Sequence, residues 1–344
     1  MTMENLRFGL GVLGAALLAS LAASGCAPAG AVGLSQDGKR YAIAWPPGER
    51  PALATGSTAK RDLRMASDVQ VAGAPVWSPD GAWIAVPTVA GVRLWDVRAA
   101  RFRRDLGEAT VGPVAWLHGG RQLAYMSLED GVYWLEVLNL ADRQTASRTA
   151  VGQTGPSQSA YAAPTESVAL LIDRDVWLVE RGEAARLTRT SDVVGIGVSA
   201  DGRTVYWARE GRNMGFILMT LFGFDLGLRS VRRLDFPERI AGLNPRPRVG
   251  PESLRAIFSP GAHRLLLIGE GLGPRRDETK AVVVRRDGTQ PRGLEQAPGQ
   301  FDGAWSADGS TVAVLVVGPE RARLKAFDAN GSNGRELAVW AKAR

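Results

Sequence analysis

One cysteine, Cys26, and two histidines, His118 and His263, are all that this 344-residue chain offers for thiol or imidazole chemistry. With no second cysteine, an internal disulfide and a cysteine-rich zinc site are both excluded. Each histidine lies within or just after a turn phrase that recurs along the chain, where hairpin duty is the blander reading. No G-x-S-x-G elbow and no H-E-x-x-H occurs, so neither an α/β-hydrolase triad nor a zincin helix is expected. A G-x-G-x-x-G does stand at Gly9-Leu10-Gly11-Val12-Leu13-Gly14. It sits in an apolar leader with no strand before it, which removes the dinucleotide reading. Asp328-Ala329-Asn330-Gly331-Ser332-Asn333-Gly334-Arg335-Glu336 alternates oxygen-bearing residues loosely in the manner of a calcium loop. Its glycine falls one place late and Val339 stands where the twelfth-position acid should be, so a hairpin is the simpler account. Paired carboxylates for glycoside chemistry would come from separate repeats, and their separation belongs to the folded structure. No catalytic residue, cofactor or metal ligand is assigned.

The surroundings of Cys26 point to export. Arg7 is followed by an apolar run from Phe8 to Ala23, and small residues Ala23-Ser24-Gly25 precede the cysteine. The segment resembles the lipobox of bacterial lipoproteins, with Ala23 where that pattern usually has Leu. The resemblance implies that Cys26 receives a lipid thioether and becomes the new N-terminus. Residues 1–25 then form a signal peptide, 26–32 a short tether and 33–344 one domain. The alternatives are a cleaved signal beside an unmodified thiol, or an uncleaved anchor, since the apolar run approaches the roughly 20 residues that span a bilayer. All three place the body of the protein outside the cytoplasm. Ala27 after the cysteine, in place of aspartate, leaves inner and outer membrane both open.

Beyond the leader, 45% hydrophobic residues, 10 Trp, 41 Gly and 19 Pro among short Val, Leu and Ile runs favour strands and turns over long helices. One phrase returns: an apolar or aromatic residue, then Ser-x-Asp-Gly, then an apolar strand. It reads Leu34-Ser35-Gln36-Asp37-Gly38, Trp77-Ser78-Pro79-Asp80-Gly81, Val198-Ser199-Ala200-Asp201-Gly202 and Trp305-Ser306-Ala307-Asp308-Gly309. Weaker copies stand at Trp116–Gly120, Tyr161–Thr165 and Phe258–Ala262. The seven starts are 43, 39, 45, 37, 60 and 47 residues apart, the period of a four-stranded propeller blade. Asp-Gly suits a tight hairpin, Gly supplying positive φ and Asp bonding its own turn. Second strands are expected at Tyr41–Trp45, Trp83–Val86, Leu123–Met126, Val168–Ile172, Val205–Trp207, Leu265–Ile268 and Val312–Val317. Third strands follow, as at Val92–Asp96 and Val176–Glu180, and a more polar fourth, as at Ala185–Thr188.

Trp77 to Ala85 reads W-S-P-D-G-A-W-I-A, and here the chain resembles the TolB-like and WD40-like "PD40" propeller repeats. The resemblance runs from about Gly33 to Trp340. It implies an all-β propeller of about seven four-stranded blades, with six or eight left open by the weaker copies. It assigns no chemistry, because such blades occur in periplasmic translocation proteins, in non-catalytic domains of peptidases and in many lipoproteins.

The net charge of +7 is carried mostly by arginine, clustered at 98–104, 229–233, 246–248, 275–276 and 285–286. Such a rim suits phosphate head groups, acidic glycans or an acidic protein. Nucleic acid would also fit a pI near 10, but an exported chain does not meet it. The plainer alternative is that arginines guard outer strand edges from pairing. The longest interval holds an uncharged run, Gly215–Phe224, read either as a central strand plus part of its neighbour packed inside the ring or as a projecting hairpin whose apolar tip contacts lipid or a partner. After it comes the Pro- and Arg-rich stretch Phe236–Pro251. Arg239, Arg246, Arg248 and Phe222 are therefore the expected partner contacts. The expected function is a membrane-tethered, non-enzymatic scaffold binding another envelope protein. The alternatives are a hydrolase or lyase working in the central channel, and a sensor or carrier of an anionic ligand.

Overall fold

A computed structural model describes residues 32–341 apart from 46–51, 60–62, 67–68, 107–112, 163–166, 182, 214–215, 237–253 and 271–278. The leader, Cys26 and the contacts expected at Arg239, Arg246 and Arg248 lie outside the described residues. The described chain forms seven four-stranded antiparallel sheets, each built from strands consecutive in sequence. Blade 1 is β1 (Val32–Leu34), β2 (Arg40–Trp45), β3 (Ala52–Ser57) and β4 (Leu63–Ala66). Blade 2 is β5 (Val76–Trp77), β6 (Trp83–Thr88), β7 (Gly91–Asp96) and β8 (Arg101–Leu106). Blade 3 is β9 (Ala115–Leu117), β10 (Gln122–Glu129), β11 (Val132–Asn139) and β12 (Thr145–Gly152), and blade 4 is β13 (Gln158–Ala162), β14 (Ser167–Ile172), β15 (Asp175–Glu180) and β16 (Glu183–Arg186). Blade 5 is β17 (Val193–Val198), β18 (Thr204–Asn213), β19 (Phe216–Asp225) and β20 (Ser230–Leu234). Blade 6 is β21 (Leu254–Phe258), β22 (Arg264–Glu270), β23 (Thr279–Arg285) and β24 (Arg292–Ala297), and blade 7 is β25 (Gln300–Trp305), β26 (Thr311–Val317), β27 (Arg321–Asp328) and β28 (Arg335–Ala341).

This is a seven-bladed propeller, which settles the count that the weaker turn copies left open. First strands touch first strands of the neighbouring blades, β13 with β9 and β17, β1 with β5 and β25, so they line the axis. Both faces of a blade meet other blades, which is why second strands are continuous apolar runs, such as the wholly buried β14. Seven apolar clusters of described residues fill the seven seams between blades. The cluster closing the ring joins Val32, Tyr41 and Ile43 of blade 1 to Ala313, Leu315 and Leu324 of blade 7.

The expected second and third strands are all present, most of them longer at their ends. The fourth strand expected at Ala185–Thr188 instead occupies Glu183–Arg186, because the amides of Leu187 and Thr188 turn back to the Val176 carbonyl. Of the Gly215–Phe224 run, Gly215 lies outside the described residues, and the rest belongs to one strand and not to parts of two. Phe216 to Asp225 form one strand, β19, paired along its whole length with β18.

Candidate interaction surface

The signature turns are closed locally. In the four clear copies the serine hydroxyl donates to the aspartate: Ser35 to Asp37 at 2.8 Å, Ser78 to Asp80 at 2.5 Å, Ser199 to Asp201 at 2.5 Å and Ser306 to Asp308 at 2.6 Å. Each serine Oγ also accepts the amide five residues on, and each aspartate accepts the amide two residues on. Gly38, Gly81, Gly202 and Gly309 take φ between 64° and 70° and donate to the serine carbonyl. At Asp80 and Asp201 the serine hydroxyl and the amide hold the carboxyl below its ordinary value. At Asp37 and Asp308 burial pushes upward, but the combined hydrogen bonds outweigh it and the net shift is downward. These carboxylates are engaged in turn closure. Tryptophans of the phrase tie blades together: Trp77 Nε1 donates to Gly33 O at 3.3 Å, Trp116 to Val76 O at 2.9 Å and Trp305 to Ile257 O at 3.1 Å. His118 and His263 are both exposed in turns, and the Asp328–Arg335 segment is the β27–β28 hairpin, with Ser332 and Asn333 bonded to Asp328.

Strand direction divides the disk into two faces. Every first strand runs toward its signature turn, so the signature turns and the turns between third and fourth strands share one face, here the turn face. The turns between second and third strands, the connections between blades and the start of β1 at Val32 share the other, the entry face. Blade 5 is unlike the rest there. Its β17 pairs with β18 only as far as Arg209, and β20 pairs with β19 only as far as Leu221. The pairs Glu210–Met219, Gly211–Leu218, Arg212–Ile217 and Asn213–Phe216 therefore run on as a two-stranded ribbon beyond both neighbours.

The root of that ribbon is fixed by charge. Arg174, in the β14–β15 turn, pairs with the buried Glu210 at 3.0 Å, and Arg209 grips Asp192 through Nε and Nη2 at 2.8 and 2.6 Å. The Glu210 amide donates to the Asp192 carbonyl. Beside them Asp175, fully buried, accepts from Thr188 Oγ1 at 2.6 Å, from Arg186 and from the amides of Thr190 and Ser191. Burial raises its carboxyl, but these four donors outweigh it and bring the value down to about 2.

All seven fourth strands carry an exposed arginine: Arg64, Arg101, Arg148, Arg186, Arg232, Arg292 and Arg335. Two of these are engaged: Arg148 pairs with Glu129 and lies 4.3 Å over Trp134, and Arg186 pairs with the buried Asp175. The other five have no ion pair among the described residues, and on blade 5 Arg232 is followed by a second such exposed arginine, Arg233. The same hairpin exposes Leu228 to 78% and Val231 to 54%. Its turn is stiff, because Asp225 accepts the amides of Gly227 and Leu228 at 2.9 and 2.8 Å, and Arg229 is pinned to Glu180 of blade 4 at 2.5 Å. Phe222, expected as a contact, is half-buried within the blade, stacked on Trp207 at 5.6 Å with Arg209 over its ring.

A cleft of about 520 Å³ lies between blades 2 and 3, lined by Asp105, Tyr125, Ser127, Glu129, Glu136 and Arg148 among others. Glu136 accepts from Tyr125 Oη at 3.1 Å and from Ser127. Burial and the Glu136 charge push the Tyr125 hydroxyl up to about 12, so it stays protonated as a donor. Among the described residues no three His, Cys, Asp or Glu side chains are placed to hold a metal ion. Sequence reasoning missed this cleft and the ion pairs at the ribbon root, because their members come from different strands or blades. Leu228 alone had a local signal: one apolar residue in a polar turn beside three arginines.

No family model matches the chain and no curated protein matches it. Solved structures do match. An oligogalacturonate lyase in complex with manganese superposes with a TM-score of 0.59 at 9% identity, over 82% of this chain and 84% of that one. The β-propeller domain of the Trilobed protease from Pyrococcus furiosus, noted for an open velcro topology, gives 0.59 at 11% identity over 89% and 94%. The β-propeller domain of Cps50 (Swd1) from Myceliophteria thermophila gives 0.53 at 14% identity over 78% and 86%. At such identities the likeness is one of fold, and the fold alone carries no activity.

Proposed function

We propose that this propeller, of the TolB-like type its turn phrases resemble, is a lipid-anchored scaffold of the bacterial envelope that binds an acidic protein partner without catalysing a reaction. The carrying observation is the outer rim of blade 5. Two large apolar residues stand exposed on a stiffened hairpin, next to two exposed arginines that have no ion-pair partner among the described residues. Exposed apolar groups flanked by exposed guanidinium groups favour a partner that supplies both a small apolar pocket and carboxylates. Cys26 supplies the anchor in this reading, and the rim on the turn face is the part displayed to the partner.

Crosslinking in intact cells tests it, comparing wild type, Cys26→Ala and the triple variant Leu228→Ser, Arg232→Glu, Arg233→Glu. These rim substitutions are on the surface and should change stability by no more than about 0.5 kcal/mol each. A stoichiometric partner captured by wild type, weakened by loss of the anchor and absent from the triple variant, is the expected result. The same captured proteins from wild type and triple variant would exclude the rim as the contact.

A further inference from the structure

Asn330-Gly331-Ser332 is the one place in the chain where an asparagine stands two residues before a serine or threonine with no proline between them. That is the acceptor triplet for N-linked sugar, and Asp328 adds the acidic residue, two places before the asparagine, that bacterial acceptors carry. We infer that Asn330 is a glycosylation site, which takes an oligosaccharide from a lipid diphosphate donor through a transferase of the envelope. The inference rests on the export reading of residues 1–25, because such donors and transferases work outside the cytoplasm.

The triplet sits in the β27–β28 hairpin, where its residues fall into two sets. Asp328 and Gly331 close the turn. The Asp328 amide donates to the Ser332 carbonyl at 2.9 Å, the Gly331 amide to the Asp328 carbonyl at 2.7 Å, and Asn333 Nδ2 to the Asp328 carboxylate at 2.6 Å. Gly331 has a φ of 78°, and a Cβ on it would lie 2.8 Å from Leu294 of blade 6, so packing demands glycine there. Asn330, by contrast, is exposed. Its Oδ1 accepts the Ser332 amide at 2.9 Å and the Ser332 hydroxyl at 2.5 Å. A backbone amide can only donate, which identifies that atom as the oxygen and leaves Nδ2 on the outer side. Among the described residues Asn330 Nδ2 donates to nothing, so turn closure makes no use of it. Transfer needs that nitrogen accessible and the serine hydroxyl beside the amide, and the hairpin presents both. In the transfer, Nδ2 bonds to the anomeric carbon of the first sugar and gives up one proton to solvent. The bond from that carbon to the diphosphate oxygen breaks, and the lipid diphosphate leaves with the electron pair. Turns between third and fourth strands share the turn face, so the sugar stands on the side of the disk away from the start of β1. Being bulky and hydrophilic, it displaces no buried contact and hydrates that face.

The test takes the full chain from cells of its source bacterium and reads the tryptic peptide Ala326–Arg335 by mass spectrometry. Wild type is compared with Asn330→Gln, Ser332→Ala and Ser332→Thr. The expected result is a series of sugar masses on the wild-type peptide, lost in Asn330→Gln and Ser332→Ala and kept in Ser332→Thr, which retains the hydroxyl. Ser332→Ala leaves Asn330 in place, so loss of the sugar there ties the modification to the triplet. A bare Asn330 in chains whose leader has been removed would overturn the inference. Conversion of Asn330 to aspartate with no sugar attached would also overturn it, in favour of deamidation at Asn330-Gly331. Chains that keep residues 1–25 and stay in the cytoplasmic fraction would overturn the export reading, and the glycosylation site with it. The N-terminal peptide distinguishes the two failures, and the wild-type peptide decides alone if a variant does not fold.

Discussion

At the scale of single residues, the side chains with the most hydrogen bonds hold structure. Asp175 is the clearest case: its carboxyl sits near 2, below the ordinary 3.8. A carboxyl depressed in the folded state contributes stability that is full above its unfolded value and lost as pH falls through the folded one. A depression of that size is worth about 2 kcal/mol. Asp175→Asn is therefore expected to lose roughly that amount at pH 7 in urea titrations, with the gap to wild type closing between about pH 4 and pH 2. Glycine offers a second residue-scale test, because two positions share a positive φ and differ in space. A Cβ on Gly38 would lie 2.4 Å from Thr311 Oγ1 of blade 7, whereas one on Gly131 would meet nothing within 4 Å. Gly131→Ala should cost about 1 kcal/mol for its backbone alone, and Gly38→Ala clearly more, read as thermal midpoints of the two variants.

At the scale of elements, the repeated phrase does two jobs with separate residues. Ser, Asp and Gly close the hairpin within a blade, while the tryptophan before them reaches the inner strand of the preceding blade. Trp116→Phe and Trp305→Phe keep an aromatic in the seam and delete the indole N–H, so each should cost about 1–2 kcal/mol. Trp77→Phe, whose bond is the longest at 3.3 Å, should cost least. Equal losses at all three positions in denaturant titrations would show that the seam depends on ring volume and not on the hydrogen bond. The strands themselves were legible in sequence because apolar runs and turn residues are local signals. Their ends were not, as Ala185–Thr188 and Gly215–Phe224 show. An end depends on how far the neighbouring strand continues to pair, which for β19 is fixed by β18 and β20.

At the scale of the whole molecule, the ring closes without an exchanged strand, since each blade is made of consecutive strands. Among the described residues, closure falls to one apolar seam, to the Asp308 amide, which donates to the Gln36 carbonyl at 3.0 Å, and to Asp302 on β25. Its carboxylate accepts the Val32 amide of β1 at 3.3 Å and pairs with Arg255 of β21 at 3.1 Å. It thereby touches three inner strands, and burial pushes its carboxyl up against the pull of Arg255 and two amides. Asp302→Ala should speed hydrogen exchange in β1 and β25 more than in β13, because the closing seam opens first; uniform acceleration around the ring would count against a latch. What the sequence determined by itself was the blade: Ser, Asp, Gly and the strand that follows bond within five residues, so their geometry is written in their order. The seven turn copies also pointed to seven blades, and the fold fixed that count; tertiary structure alone decided the latch between residues 32, 255 and 302, the ribbon that overruns its neighbours and the face on which it stands. Those depend on chain segments brought together by closing the ring, a distance constraint that no local spacing encodes.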